Sequence, residues 1–142
     1  YGPHDNFDLE TSHVIPALMR KCHEAKVSGS SYMDVWGSGN VMREFLNVED
    51  CAAAIVFLLE HYSDMTHVNI GTGEDVTIAE LAETIKKVVG FDGALRFDAS
   101  KPDGTPRKLL DVTKINNLGW RHKIGLEEGL ASTYRWFQKV SA

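Results

Sequence analysis

Two Gly-x-Gly turns, each directly after a short run typical of a β-strand, most constrain the fold of this chain. The first run is Tyr32–Trp36, followed by Gly37-Ser38-Gly39, and the second is His67–Ile70, followed by Gly71-Thr72-Gly73. Apolar side chains recur at helical spacing before, between and after these runs. Strands and helices therefore alternate along the chain, which predicts an α/β fold.

The helices are predicted from capping residues and apolar periodicity. The clearest start is Thr77-Ile78-Ala79-Glu80, a capping box in which the Thr and Glu side chains each bond a backbone N–H, and Gly90 ends that helix. Ala94–Asp98 alternates as a strand does. The other predicted helices run from Ser12 to about Val27, from Asn47 or Asp50 to about Glu60, from Asp111 or Thr113 to Gly119, and from Leu126 to Val140. The Asn47/Asp50 helix is apolar nearly all round, so we expect it to be covered on more than one side.

Composition limits the classes of protein that fit. The 142 residues suffice for one domain with a core, and the net charge of -5 argues against a nucleic-acid partner. No apolar run is long enough for a membrane span. Cys22 and Cys51 are predicted to be free thiols in a reducing cytosol. The chain starts with Tyr1 in an irregular loop, which suggests a fragment of a longer protein.

Neither Gly-x-Gly turn completes a dinucleotide-binding fingerprint. Met42 and Val76 occupy the third glycine position, where close packing of helix on strand requires a small residue. The histidines show no metal-ligand spacing, and no Gly-x-Ser-x-Gly nucleophile motif is present. The residues alone therefore predict no metal site and no recognisable cofactor fingerprint.

Some residues near the first turn are candidates for binding an anion. Arg43 could hold a diphosphate through two parallel N–H bonds, or could form an ion pair with Glu44 or Glu49. Trp36, at the base of the turn, could stack on a nucleobase or cap the core. The residues alone leave both choices open.

Two further groups have the same ambiguity. His13 lies at the start of a predicted helix, where the helix dipole favours a neutral imidazole that could move a proton, or it has a structural role. Lys101, Arg107 and Lys108 cluster in one polar loop and could reach phosphates or sugar hydroxyls, or could simply form a solvated face.

Several segments together resemble the C-terminal part of the GDP-L-fucose synthases, a family of the extended short-chain dehydrogenase/reductase superfamily. They are Tyr1–Phe7, Ser12–Pro16, Trp36–Gly39, Met42–Phe45, Asn69–Gly73 and Lys101–Asp111. The resemblance covers essentially the whole chain. The Gly-x-Gly turn followed by Arg is common to many nucleotide-sugar enzymes, whereas Ser12–Pro16 and Lys101–Lys108 point to this family.

The resemblance implies an enzyme that converts GDP-4-keto-6-deoxy-D-mannose to GDP-L-fucose by 3,5-epimerisation and NADPH-dependent 4-reduction. The ketone acidifies the C–H bonds at C3 and C5, so a general acid/base pair near the ring suffices for epimerisation. The resemblance further implies an NADP(H) cofactor, a homodimer and a cytoplasmic protein.

The resemblance also assigns roles to single residues. His13 matches the acid in epimerisation, which also lies at the cofactor. The matched substrate-binding positions are Lys21, Trp36, Arg43, Asp103 and, more weakly, Lys108.

The family's NADP-binding glycine turn, its Ser with Tyr-x-x-x-Lys and its catalytic cysteine have no match in this sequence. We therefore expect residues 1–142 to be a C-terminal substrate-binding portion, with the Rossmann domain largely absent, inactive alone, and with about 47–73 packing against the NADP-binding part. Two alternatives stay open. One is another NDP-sugar epimerase, dehydratase or reductase; the other is a nucleotide-sugar-binding module without chemistry.

Overall fold

A computed structural model describes residues 1–141. The chain alternates strands and helices, which confirms the predicted α/β class. The helices are α1 (Val14–Val27), α2 (Val48–His61), α3 (Ile78–Val89), α4 (Thr113–Leu118) and α5 (Leu126–Val140). The strands are β1 (Tyr32–Trp36), β2 (Met42–Glu44), β3 (Asp75–Thr77), β4 (Ala94–Asp98) and β5 (Arg107–Lys108).

The strands form two small sheets. β1 pairs with β4 in parallel, in the register Tyr32↔Ala94 to Trp36↔Asp98. β2 is the middle strand of the second sheet, antiparallel to β3 and parallel to β5. In that register Arg43 lies opposite Lys108, so two cationic residues occupy neighbouring strands.

The strand predicted over His67–Ile70 is wrong, because these residues join neither sheet. A strand needs a neighbour to bond its N–H and C=O groups, and no strand of the described chain pairs with this segment. Val68 and Ile70 pack instead against a small cluster that includes Ala54 of α2 and Ile115 of α4. Their apolar character thus reflects packing rather than strand pairing.

The main core lies where α1, α3 and α5 meet the β1–β4 sheet. Leu81 and Ile85 of α3 and Met19 of α1 are completely buried there, as is Leu130 of α5. The apolar residues of α3 recur every three or four positions, so they form one face of the helix, which packs against both α1 and α5. This core fixes the start of α1 and the end of β1, which carry candidate site residues.

The helix ends follow their sequence signals in three of four cases. The capping box of Thr77 and Glu80 is present, Gly90 ends α3 with φ of +70°, and the Asn47 side chain accepts the Glu49 N–H at 2.9 Å. The predicted Ser12 cap of α1 is wrong.

The helix α1 instead has His13 as its N-cap residue, without a side-chain hydrogen bond, and Ser12 Oγ has no partner among the described residues. A capping side chain bonds the N–H two or three residues on, and the third residue after His13 is Pro16, which has no N–H. The helix therefore begins with its first turn uncapped by a side chain.

One face of α2 is covered and another is open within residues 1–141. Ala54 is fully buried against α4, whereas Ile55, Val56 and Leu59 are 50%, 55% and 80% exposed. We expected α2 to be covered on more than one side, but the described residues cover only one side of this helix. None of the described helices combines the length and apolar character needed to cross a bilayer.

Candidate nucleotide-binding cleft

A cleft of about 610 Å³ opens where the N-terminal loop, the start of α1, the turn after β1 and the strands β2 and β5 meet. The structure brings five of the predicted site residues into its wall. These are His13, Trp36, Arg43, Asp103 and Lys108. The sixth, Lys21, lines an adjoining hollow of about 350 Å³ that shares Val14, Trp36 and Ile78 with the cleft.

His13 is placed in the cleft by the first turn of α1. Its backbone is extended, with φ of -75° and ψ of 173°, and its side chain is exposed and caps no N–H. The imidazole therefore makes no hydrogen bond to the helix end that positions it, and it is open to a ligand in the cleft.

Trp36 ends β1 and is 63% exposed, so the alternative that it caps the core is wrong. Two ammonium groups lie beside its indole: Lys21 Nζ at 4.5 Å and Lys101 Nζ at 5.4 Å from the ring centroid. An indole face attracts cations through its quadrupole. Partial burial lowers the pKa of Lys21, because desolvation disfavours the charged ammonium. Trp36 thus gathers positive charge at the mouth of the cleft.

Arg43 lies in the centre of β2 and lines the cleft. Its Nη1 donates to the Met42 carbonyl at 2.7 Å, and no carboxylate of the described chain forms a salt bridge with it. The alternative of an ion pair with Glu44 or Glu49 is therefore wrong. The remaining guanidinium donors are available to an anion in the cleft.

Asp103 joins the loop before β5 to the turn after β1. Its Oδ1 accepts the Ser38 N–H and its Oδ2 accepts the Ser38 hydroxyl, both at 2.7 Å. These hydrogen bonds to the ionised form lower the pKa of Asp103. Gly37 has a φ of +88°, and a Cβ there would lie 2.5 Å from Asp103 Oδ1, so the turn needs glycine at this position. Asp103 is thus a fixed part of the cleft rim.

The three cations of segment 101–108 contact different parts of the structure, so they do not form a purely solvated face. Arg107 pairs with Asp75 and is drawn away from the cleft. Lys101 lies beside Trp36, and Lys108 lines the cleft directly. Lys101 was named among the sequence candidates only as part of a charged loop, because no local pattern could indicate its contact with Trp36.

Glu44 is a residue of the cleft whose role the sequence did not reveal. It lines the cleft next to Arg43, and its carboxylate accepts hydrogen bonds from Thr72, Gly73 and Leu110. These partners lie 28 to 66 residues away in sequence, so spacing rules could not find them. One feature of the sequence could have indicated this role: the backbone N–H groups of the Gly71-Thr72-Gly73 turn need a hydrogen-bond acceptor.

Other parts of the molecule hold less chemistry. A larger hollow of about 730 Å³ lies between α1 and the end of α5 and contains none of the predicted site residues. Its arginine, Arg20, is already paired with Glu24 at 2.7 Å. In residues 1–141 no cluster of His, Cys, Asp and Glu has the arrangement of a metal site. Cys22 and Cys51 are both free thiols, as predicted.

Comparison with known proteins identifies relatives of this arrangement. A model of the NAD dependent epimerase/dehydratase family matches residues 1–71, half of the chain. GDP-L-fucose synthase 1 of Arabidopsis thaliana is 59% identical over 139 residues, which are 98% of this chain and 43% of that protein. GDP-L-fucose synthase of Escherichia coli K12 is 58% identical over 146 residues, covering 96% of this chain and 46% of that protein.

Solved structures show the same fold. A GDP-L-fucose synthetase from Naegleria fowleri, bound to NADP, superposes with a TM-score of 0.93 at 32% identity, over 99% of this chain and 44% of that chain. The comparisons confirm the resemblance stated from the sequence. The chain spans less than half the length of the curated relatives named above, in agreement with the prediction that it corresponds to part of an extended short-chain dehydrogenase/reductase.

Proposed function

This chain belongs to the NAD dependent epimerase/dehydratase family, and from that premise we propose that it supplies the GDP-sugar-binding part of an enzyme that converts GDP-4-keto-6-deoxy-D-mannose to GDP-L-fucose. The observation that carries the proposal is the pairing of Arg43 and Lys108 on adjacent strands at one cleft. The chain carries a net charge of -5. Two cations on one cleft wall of an acidic protein favour an anionic ligand.

A diphosphate fits these cations. The guanidinium of Arg43 can bond two phosphate oxygens at once through its planar fork, and the Lys108 ammonium adds a point charge from the next strand. Lys21 and Lys101 beside Trp36 extend the positive potential along the mouth of the cleft. We assign Arg43 and Lys108 to the diphosphate, and Lys21 and Lys101 to the part of the ligand that lies at Trp36, where the cleft meets the adjoining hollow.

The adjoining hollow of about 350 Å³ supports a place for the nucleobase. Its wall combines apolar side chains of α1 and β1, among them Leu18 and Val35, with the indole of Trp36. The flat face of a base can pack against the indole and these apolar side chains, whereas the phosphates need the cationic cleft. The hollow and the cleft share Val14, Trp36 and Ile78, so one ligand can reach both.

His13 is proposed as the acid of epimerisation. Its exposed imidazole lies on the same cleft as Arg43, so a sugar attached to the bound diphosphate would lie near it. In that position the imidazole can give a proton to the carbon next to the ketone, after a base in the other part of the complete enzyme has taken the proton from the opposite face of the sugar. Asp103, on the rim, is proposed as a contact to the substrate.

The residues described do not form a cradle for NADP(H). The most promising turn, at Thr72 and Gly73, has its N–H groups bonded to Glu44 Oε1 at 2.5 and 2.7 Å, so it cannot bind a pyrophosphate. We therefore assign only His13 as a contact to the cofactor. Bound NADPH would supply the hydride that reduces C4. The NADP-binding residues are proposed to belong to another part of the complete enzyme.

We propose that about 47–73 pack against that NADP-binding part. The exposed apolar side chains Ile55, Val56 and Leu59 of α2 and the segment 67–70, which pairs with no strand of the described residues, support this. The complete protein is proposed to be a homodimer, as the resemblance implies, which light scattering of the full-length enzyme checks. The free thiols of Cys22 and Cys51 support a cytoplasmic location.

Calorimetric titration of the purified protein with GDP, UDP, dTDP and guanosine tests the proposal. GDP should bind more tightly than the other three, and Arg43→Met should weaken GDP binding by about 10- to 100-fold, the range expected for a lost charged hydrogen bond. Arg135→Met is the matched control, because Arg135 is exposed on α5 outside the cleft. Absence of binding by every nucleotide would refute the proposal.

Two outcomes would favour the alternatives. Equal affinity for UDP or dTDP would point to another nucleotide-sugar enzyme of the family. GDP-sugar binding by a full-length protein that never consumes NADPH with the keto-sugar would point to a binding module without chemistry. The 142-residue chain alone is expected to consume no NADPH.

A further inference from the structure

The carboxylate of Glu44 is held by hydrogen-bond donors from two distant segments. Its Oε1 accepts the backbone N–H groups of Thr72 at 2.5 Å and Gly73 at 2.7 Å, and the Thr72 hydroxyl at 3.2 Å. Its Oε2 accepts the Leu110 N–H at 2.9 Å. An ionised carboxylate only accepts hydrogen bonds, so both its oxygens match this set of donors.

The consecutive N–H groups of Thr72 and Gly73 form a concave site of the kind that binds anions in many proteins. Here the protein fills it with its own carboxylate. The fit is close on the glycine side too, since a Cβ at Gly71 would collide with Glu44 Oε1. The site is therefore committed to Glu44 and is closed to a phosphate ligand.

The position of Glu44 links this anchor to the cleft. It is the last residue of β2 and follows Arg43 directly. Leu110 lies two residues beyond Lys108, which faces Arg43 in the sheet. One carboxylate thus fastens the strand that carries Arg43 to the segment that follows Lys108.

We infer that Glu44 is a positioning residue for the diphosphate site: by tying β2 to the 72–73 turn and to Leu110, it fixes the spacing of Arg43 and Lys108. The inference rests on the proposed GDP-binding function. Glu44 contacts no phosphate in this role. A Gln at this position would present an NH₂ group to donors, so at least one hydrogen bond to the backbone would be lost.

The test is Glu44→Gln in the purified protein, with affinities for GDP and guanosine measured side by side. GDP binding should weaken about tenfold while guanosine binding stays unchanged, because only GDP uses the phosphate side. The matched control is Asp50→Asn, since Asp50 is 5% exposed and its Oδ2 also accepts two backbone N–H groups, those of Lys123 and Ile124. It should lower the melting temperature without changing the ratio of the two affinities.

The outcomes separate the inference from the proposed function. No GDP binding by the wild type would overturn both. Wild-type binding with an unchanged affinity ratio in Glu44→Gln, or with the same loss in Asp50→Asn, would overturn the inference alone. If Glu44→Gln does not fold, Thr72→Val is the second variant. It removes the 3.2 Å hydroxyl bond to Glu44 together with the bonds between the Thr72 hydroxyl and the Glu74 backbone. Its ratio should shift in the same direction by about twofold or more, and an unshifted ratio there overturns the inference.

Discussion

Arg107 and Asp75 form a two-point ion pair that joins the outer strands of the three-stranded sheet across β2. Arg107 Nε lies 2.5 Å from Asp75 Oδ2, and Arg107 Nη2 lies 3.1 Å from Asp75 Oδ1. The Asp75 side chain is only 6% exposed, and the guanidinium holds the pKa of its carboxyl below the usual value. The pair braces the sheet and leaves Lys108 as the cation of β5 that faces the cleft.

The Asp75 pair predicts a loss of stability in acid. A lowered pKa in the folded state means that stability is complete above the unfolded value of 3.8 and is lost as the pH falls through the lower folded value. Hydrogen bonds lower the pKa of Asp98, Asp103 and Asp111 in the same direction. In thermal melts between pH 7 and pH 2, the melting temperature should fall once the pH drops below about 4.

Asp75→Asn should reduce this fall of the melting temperature in acid, because it removes one of the carboxyl groups whose pKa is lowered in the folded state. Glu60→Gln, an exposed position on α2, serves as the control and should leave the profile unchanged. A wild-type melting temperature that stays constant from pH 5 to pH 2 would contradict the linkage argument.

His13→Asn in the complete enzyme should abolish exchange of deuterium at C3 and C5 of the substrate while NADPH binding persists. Asn fills a similar volume at the N-cap of α1 but has no proton to give at neutral pH. Arg135→Met, exposed on α5 outside the cleft and outside residues 47–73, is the control and should leave the exchange unchanged. Exchange at the wild-type rate in the His13 variant would rule out the acid role.

Leu81→Ala should destabilise the fold by about 2–5 kcal/mol, the range for deleting a buried leucine side chain. Leu81 is fully buried between the helices of the core, whereas Leu59 on α2 is 80% exposed. Leu59→Ala should therefore change the unfolding free energy by less than about 0.5 kcal/mol. Urea unfolding followed by circular dichroism measures both, and equal losses would mean that the described core is misassigned.

Cys51 should react with iodoacetamide well before Cys22 in the native protein. Burial raises the pKa of the Cys22 thiol to about 11, so almost no reactive thiolate is present at neutral pH, and its side chain is inaccessible. Cys51 is only partly buried on α2. Mass spectrometry of the labelled protein distinguishes the two sites, and both should react equally once urea has unfolded the chain.

The features that could be predicted from sequence are those whose partners lie close together in the chain. The Thr77–Glu80 capping box spans three residues, and the Gly90 helix end needs only its own backbone freedom. The start of α1 is an exception among these local signals, because the helix begins one residue later than a cap at Ser12 would place it, with His13 as the N-cap.

The features that could not be predicted depend on distant partners. The apolar run over 67–70 looks like a strand until the absence of a neighbouring strand in the described chain is known. The choice between an ion pair and a free guanidinium at Arg43 turned on where Glu44 points, and Glu44 points to residues 28 or more positions away. The family resemblance predicted which residues form the site. How these residues are arranged could be seen only in the folded structure.

The hydrogen bonds between Ser38 and Asp103 have a consequence for how the protein folds. They close a loop of 65 residues that contains β2, α2, β3, α3 and β4. The pairing of β1 with β4 already places Trp36 opposite Asp98, so most of the entropic cost of closing this loop is met before Ser38 reaches Asp103. The rim of the cleft therefore depends on strand pairing within the core, and a nascent chain that ends before Asp103 would lack this rim, Lys108 and the α5 side of the core.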